Sequence, residues 1–171
     1  MNRNYFGDSY DMVKRFWADL LWEKARLYAD PLFFEDEKLR LEFRNLTRIA
    51  MMTDEKPSDT YSILLDPDTG ISPRGKAPQY VKIGYIARQV EKPGVRYVVT
   101  YDQSFPHCGE PVRREKMQQK MLTLGYPSLY YVSHAPFLFT AVSREALQEL
   151  KTIITKAGVP KKLIEELGTV R

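Results

Sequence analysis

The sequence predicts an α/β fold: a mostly parallel sheet with helices on both faces and an antiparallel hairpin near the C-terminus. Three observations carry that expectation. Short runs rich in β-branched, leucine and tyrosine side chains, such as Tyr61-Ser-Ile-Leu-Leu65 and Val95–Tyr101, have the composition of buried strands. Segments with helical apolar spacing separate these runs. Two further apolar runs, 129–133 and 137–142, flank the short corner His134-Ala-Pro136 and read as a hairpin.

The elements follow in chain order. Residues 3–7 are a short extended lead-in, and Asp8 or Ser9 opens a helix. Met12, Val13, Phe16, Trp17, Leu20 and Leu21 then recur on one helical face. Leu27–Phe34 contains a strand ending near Asp30-Pro31. Residues 35–50 mix charges with Leu39, Leu41, Phe43, Leu46 and Ile49, which predicts a second helix. The strand over 61–65 ends at Asp66-Pro-Asp-Thr-Gly70, and the Pro- and Gly-containing stretch 71–79 is a loop. A helix is expected over 79–91, ended by Pro93-Gly94. The strand over 95–101 stops at Asp102-Gln-Ser104, and a charged helix over 112–124 is stopped by Gly125. Ser143 caps the last long helix, Gly158 ends it, and Pro160 starts a short closing helix.

The chain has 171 residues, a length suited to one domain over 1–171 with one core. Its 28% charged and 43% hydrophobic residues are ordinary globular values, which argues against disorder. Cys108 is the only cysteine, so no intrachain disulfide forms. That usage predicts a cytoplasmic, reducing environment. One Cys and the two histidines, His107 and His134, are too few for a structural Cys/His zinc site. The first residues lack the apolar core of a secretory signal. No run approaches the ~20 apolar residues of a membrane span, so no membrane partner is expected. A net charge of +4 permits an anionic partner such as nucleic acid without requiring one.

The chemistry is expected where strands end, because open parallel sheets bind ligands beyond their carboxyl ends. Asp8, Asp66 and Asp102 all sit at expected strand ends, with Asp11 and Asp68 close by. Clustered like charges call for a neutralising cation or proton. Mg²⁺ or Mn²⁺ suits an all-oxygen shell, and such an ion activates water and stabilises charge on phosphate. Asp8, Asp66, Asp68 and Asp102 are thus candidate metal ligands, with Asp66, Asp68, Asp102 and His134 the candidate catalytic set. Arg74, Lys76, Ser104 and Ser133 are candidate substrate-binding groups. Each has a plainer reading: Asp8 as a helix cap, Asp66-Pro67-Asp68 as a turn, His134 as a hairpin-corner residue bonded to backbone, and Lys161-Lys162 as solvated surface.

Other chemistries find less support. A Ser104–His134–Asp66 hydrolase lacks a G-x-S-x-G elbow, and Cys108 beside His107 is a poor geometry for a thiol nucleophile. No P-loop or G-x-G-x-x-G occurs. Arg113, Arg114 and Lys116, with Tyr80, Tyr85, Tyr130 and Tyr131, suit a nucleic-acid surface, although rings of this kind are more often core.

The strings Tyr5-Phe-Gly-Asp-Ser-Tyr-Asp11, Leu65-Asp-Pro-Asp-Thr-Gly70, Tyr101-Asp-Gln-Ser-Phe105 and Ser133-His-Ala-Pro-Phe-Leu-Phe139 resemble those of a small uncharacterised bacterial protein family. An early acidic turn paired with a later Asp-x-Asp is similar to Toprim-type nuclease sites, although Asp8 stands where that pattern has Glu. The order Asp-Pro motif, helix, strand, helix, hairpin is similar to the later half of Rossmann-like methyltransferases. That resemblance implies that Leu65-Asp66-Pro67 contacts the base or the cofactor, although no glycine-rich turn for S-adenosylmethionine is present. The leading expectation is a metal-dependent phosphoester hydrolase, a nuclease acting on nucleic acid. The alternatives are an S-adenosylmethionine methyltransferase-like protein and a non-catalytic nucleic-acid or protein interaction module.

Overall fold

Buried apolar strands set the frame. In the computed structural model, which describes residues 6–55, 57–105 and 108–167, Ile63, Leu64, Leu65, Val98 and Val99 are fully enclosed. They belong to β3 (Tyr61–Leu65) and β6 (Val95–Tyr101), which pair in parallel at the middle of a seven-stranded sheet. Strands buried on both faces read as continuous apolar runs, which is why these two were plain in the sequence.

Around them lie α1 (Ser9–Ala25), β1 (Leu27–Ala29), α2 (Glu37–Thr47) and β2 (Ala50–Met51) before β3. Next come β4 (Gly70–Ile71), β5 (Tyr80–Val81) and α3 (Ile83–Val90) before β6. The chain continues through α4 (Glu110–Leu124), β7 (Ser128–Tyr131), β8 (Phe137–Ala141), α5 (Arg144–Lys156) and β9 (Ile164–Glu166). The sheet order is β2-β1-β3-β6-β8-β7-β9, and β4 and β5 form a separate two-stranded parallel pair. Strands β2, β1, β3, β6 and β7 run one way, while β8 and β9 run the other. The sheet is therefore mostly parallel, and the hairpin β7–β8 folds back so that β8 sits between β6 and β7.

Caps explain the helix starts. Asp8 accepts hydrogen bonds from the Tyr10 and Asp11 amides, Asp36 from the Leu39 amide and Ser143 from the Ala146 amide. Gly125 closes α4 at φ 72°, a left-handed conformation that a Cβ disfavours.

Several expectations are corrected. Asp8 is a helix cap and not a strand end; the lead-in expected over 3–7 falls partly outside the described residues. The buried face of α1 is Asp11, Lys14, Trp17, Ala18, Leu21 and Ala25, while Met12 and Phe16 are exposed. The helix expected over 35–50 stops at Thr47 and gives way to β2. Residues 79–91 divide into β5 and α3, and the closing helix after Pro160 is a 3-10 turn over Lys161–Leu163 that leads into β9. The missed strands have only two or three residues, too few for a side-chain alternation to register. In β9 the missed residue is also charged: Glu165 is 3% exposed and is held by Arg114 and Gln118.

The core is ring-rich. Trp17 packs edge-on against Tyr131 at 5.0 Å and Phe139 at 4.9 Å, joining α1 to the hairpin. Among the described residues no helix is long and apolar enough to cross a membrane.

Candidate functional site at the carboxyl edge of the sheet

A cleft of about 420 Å³ opens at the carboxyl ends of β3 and β6, beneath the first turns of α1. Its volume falls in the range of small-molecule sites. Parallel pairing of β3 with β6 brings Asp66 to the edge beside Tyr101, and the Asp8 cap sets the first turn of α1 against them. Asp66, Asp68 and Asp8 all line this cleft, so three of the predicted carboxylates do converge.

Its floor is an ion triad that sequence reasoning missed. The Lys14 ammonium lies 2.9 Å from Asp11 Oδ1 and 2.8 Å from Asp66 Oδ2, and donates to both. Lys14 is 5% exposed, Asp66 2% and Asp11 1%. The second oxygen of Asp11 accepts from the Gly7 amide at 2.8 Å. Lys14 also lies 5.4 Å from the Tyr101 ring centroid and 5.7 Å from that of Phe43. Burial pulls the Lys14 pKa down. The charges and hydrogen bonds of Asp66 and Asp11 outweigh that pull and leave it above the ordinary lysine value. Burial pushes the Asp66 carboxyl up, and the charge and hydrogen bond of Lys14 do not fully reverse the shift.

The walls are polar and aromatic. Tyr10 and Tyr101 sit with ring centroids 5.7 Å apart, and Gln79 and Gln103 add amide groups. Burial, with Tyr10 and the nearby carboxylates, pushes the Tyr101 hydroxyl far up, so it stays protonated. Among the described residues the lining holds the carboxylates Asp8, Asp11, Asp66 and Asp68 and the ammonium of Lys14.

Asp102 does not join this cleft. It is fully buried in a second cluster. Its Oδ2 accepts from Lys120 Nζ and Tyr130 OH, both at 2.7 Å. Its Oδ1 accepts from Ser104 Oγ at 2.6 Å and the Ile71 amide at 2.9 Å. Lys120 Nζ also lies 2.6 Å from Ser104 Oγ. Burial lowers the Lys120 pKa, and the Asp102 ion pair offsets this only in part. The cluster fastens β4, α4 and β7 to the end of β6. Gly70 is required there, because a Cβ at its φ of 132° would lie 2.3 Å from Asp102 Oδ1. Ser104 is thus tied to Asp102 and Lys120, with neither His134 nor Asp66 in reach of the proposed hydrolase roles.

The other predicted residues scatter. His134 is exposed, its ring 5.6 Å from that of Tyr10 at the cleft's border. Ser133 closes a local turn, accepting from the Ala135 amide and donating to the Ala135 carbonyl. Arg74 and Lys76 stand exposed in the β4–β5 connection. His107 lies outside the described residues, and the nearest described basic partner of Cys108 is Lys116 at 3.1 Å.

Asp11 and Asp66 are engaged by Lys14, and Asp102 is saturated elsewhere. Among the described residues no group of three or more His, Cys, Asp or Glu side chains is gathered to hold a metal. The first strand-to-helix turn is also closed to a phosphate: Asp30 caps the Leu32 amide and accepts from Tyr85 OH at 2.6 Å.

The missed residues left one signal. Asp11 and Lys14 fall in phase with Ala18, Leu21 and Ala25 on the buried stripe of α1, so two charges occupy positions of core periodicity. No protein-family model, curated protein or solved structure matches the chain.

Proposed function

We propose that the cleft is the working site and that it takes a small organic ligand bearing amino or cationic groups beside a planar ring. In this reading the protein is methyltransferase-like, and the ligand is S-adenosylmethionine or a nucleobase. Helices covering both faces of the sheet would leave the carboxyl edge as the open approach.

The observation that carries the reading is Lys14 held between Asp11 and Asp66. The protein supplies its own counter-ion to the two carboxylates that a divalent metal would need. A buried ion triad also costs desolvation that apolar packing of the same volume avoids, so stability alone is a poor reason for it. With Lys14 engaged, the cleft presents the Asp8 carboxylate and the half-buried Tyr10 ring to a ligand. Carboxylates accept from amino groups, and tyrosine faces attract a sulfonium or ammonium. A phosphate would instead meet an excess of negative charge.

S-adenosylmethionine, when bound, supplies an activated methyl group. The chain's own contribution is to hold the ligand against Tyr10 and its amino groups on Asp8. Lys14 keeps Asp66 fixed at the floor. The competing reading is a phosphoester hydrolase with a divalent metal at Asp66 and Asp68, and it requires Lys14 to leave the triad.

Thermal denaturation with added ligand separates the two. A ligand that binds only the folded state at 100 times its Kd adds about 2.7 kcal/mol. For a chain of this size that is a rise in Tm of roughly 5–10 °C. The proposal expects such a rise with S-adenosylmethionine or adenosine, diminished in Asp8→Asn and Tyr10→Ala. A rise with Mg²⁺ or Mn²⁺ that Asp66→Asn removes, with none from the nucleosides, would establish the competing reading instead.

A further inference from the structure

Between Gly70 and Val90 the chain carries Arg74, Lys76, Lys82 and Arg88 and no Asp or Glu. All four are exposed. None is ion-paired to a described carboxylate, whereas Arg26, Arg44, Arg96, Arg114 and Lys151 all are.

The strip is held in shape from within. The Tyr80 ring packs over Gly75, where an added Cβ would lie 2.2 Å from the Tyr80 Cβ. The Arg74 and Gly75 amides donate to Ser72 Oγ, the Tyr80 amide donates to the Lys76 carbonyl, and the Ile71 amide is fastened to Asp102. The backbone that carries these cations is therefore ordered before a ligand arrives. Thr69, just before β4, and Gln79, just before β5, line the cleft, so the strip borders it.

We infer that this strip, from Arg74 to Arg88, is a binding surface for the sugar–phosphate backbone of single-stranded nucleic acid. Repeated phosphates match a series of exposed cations that no described carboxylate pairs, and their binding releases condensed counter-ions. Tyr80 and Tyr85 are half-buried within the strip, and Arg88 lies 5.4 Å over the Tyr85 ring, the mixture of cation and ring on which single strands stack. A lipid surface is a poorer match, because no large apolar side chain is exposed between residues 70 and 90. This inference stands whatever fills the cleft.

The test is fluorescence anisotropy of a labelled 20-nucleotide mixed-sequence single strand with the full chain, from 25 to 200 mM NaCl. Four phosphate contacts predict a slope of log K against log salt of about −3. Arg74→Gln/Lys76→Gln/Lys82→Gln/Arg88→Gln should lose at least tenfold in affinity at 50 mM NaCl and most of that slope. The milder Arg74→Gln/Lys76→Gln should lose about half the slope. Lys24→Gln/Lys38→Gln/Lys156→Gln/Lys162→Gln makes the same change in net charge elsewhere and should stay within twofold of wild type. The inference is overturned by no binding at 25 mM NaCl, or by equal losses in the two quadruple variants. Binding to phosphatidylserine vesicles but not to the oligonucleotide overturns it as well. Failure of the nucleoside titration leaves each of these readouts unchanged, so the two proposals fail separately.

Discussion

Lys14 is the residue on which the site turns. Removing it leaves Asp11 and Asp66 facing each other, buried and uncompensated. Lys14→Met should cost about 3–5 kcal/mol in chemical denaturation. The double variant Lys14→Met/Asp66→Asn should recover part of that loss, and a double-mutant cycle reads the coupling. The pH dependence has a definite sign. The folded pKa of Lys14 lies above its unfolded value, so its contribution is complete below about pH 10.5 and falls away as pH rises through the folded value. The gap in Tm between wild type and Lys14→Met should therefore narrow above that pH. Asp66 works in the opposite direction to a usual paired carboxylate. Its raised pKa favours the folded state at low pH, and that contribution is lost as pH rises from about 4 through the folded value. Asp66 was legible at this scale because an Asp straight after a buried run stands out. Lys14 was not, because a lysine in a helix is ordinarily a solvated charge and only its phase with Ala18 and Leu21 marks it as buried.

At the level of elements, the small β4–β5 pair is the part most dependent on one contact. Asp102 reaches past Gly70 to the Ile71 amide, and Ser104 Oγ lies 3.0 Å from the Ile71 carbonyl. Gly70→Ala combines an unfavourable φ with displacement of the Asp102 carboxylate, and should cost about 2–5 kcal/mol. Equilibrium unfolding measures this directly. Asp8→Ala removes the cap of α1 and should cost about 1 kcal/mol. Strands β3, β6, β7 and β8 and helices α1 and α5 were readable because each presents a sustained period or a clear cap. Strands β2, β4, β5 and β9 were not, since two or three residues carry no period and their pairing is decided by distant partners. The same limit explains Asp102: its position after β6 was legible, but its direction depends on Lys120 and Tyr130, which α4 and β7 bring from far along the chain.

For the molecule as a whole, topology decides which strand ends can share a site. The parallel β3–β6 pair sends Asp66 and Tyr101 to one edge, and α1 closes over them. The carboxyl-edge location was therefore predictable from strand order, while the sign of its charge balance was not. The chain is net +4, yet among the described residues the cleft is lined by four carboxylates and one ammonium, with exposed cations on the strip beside it. Both proposals, an amino-bearing ligand in the cleft and phosphates on the strip, rest on this separation. The central claim is that Lys14 is the resident cation of the cleft. It is tested most directly by a crystal structure grown with Mn²⁺ and S-adenosylmethionine, with anomalous data collected at the manganese edge. The account predicts nucleoside density against Tyr10, Lys14 still bridging Asp11 and Asp66, and no anomalous peak at either carboxylate. A manganese peak bound to Asp66, with Lys14 swung out of the triad, would contradict it.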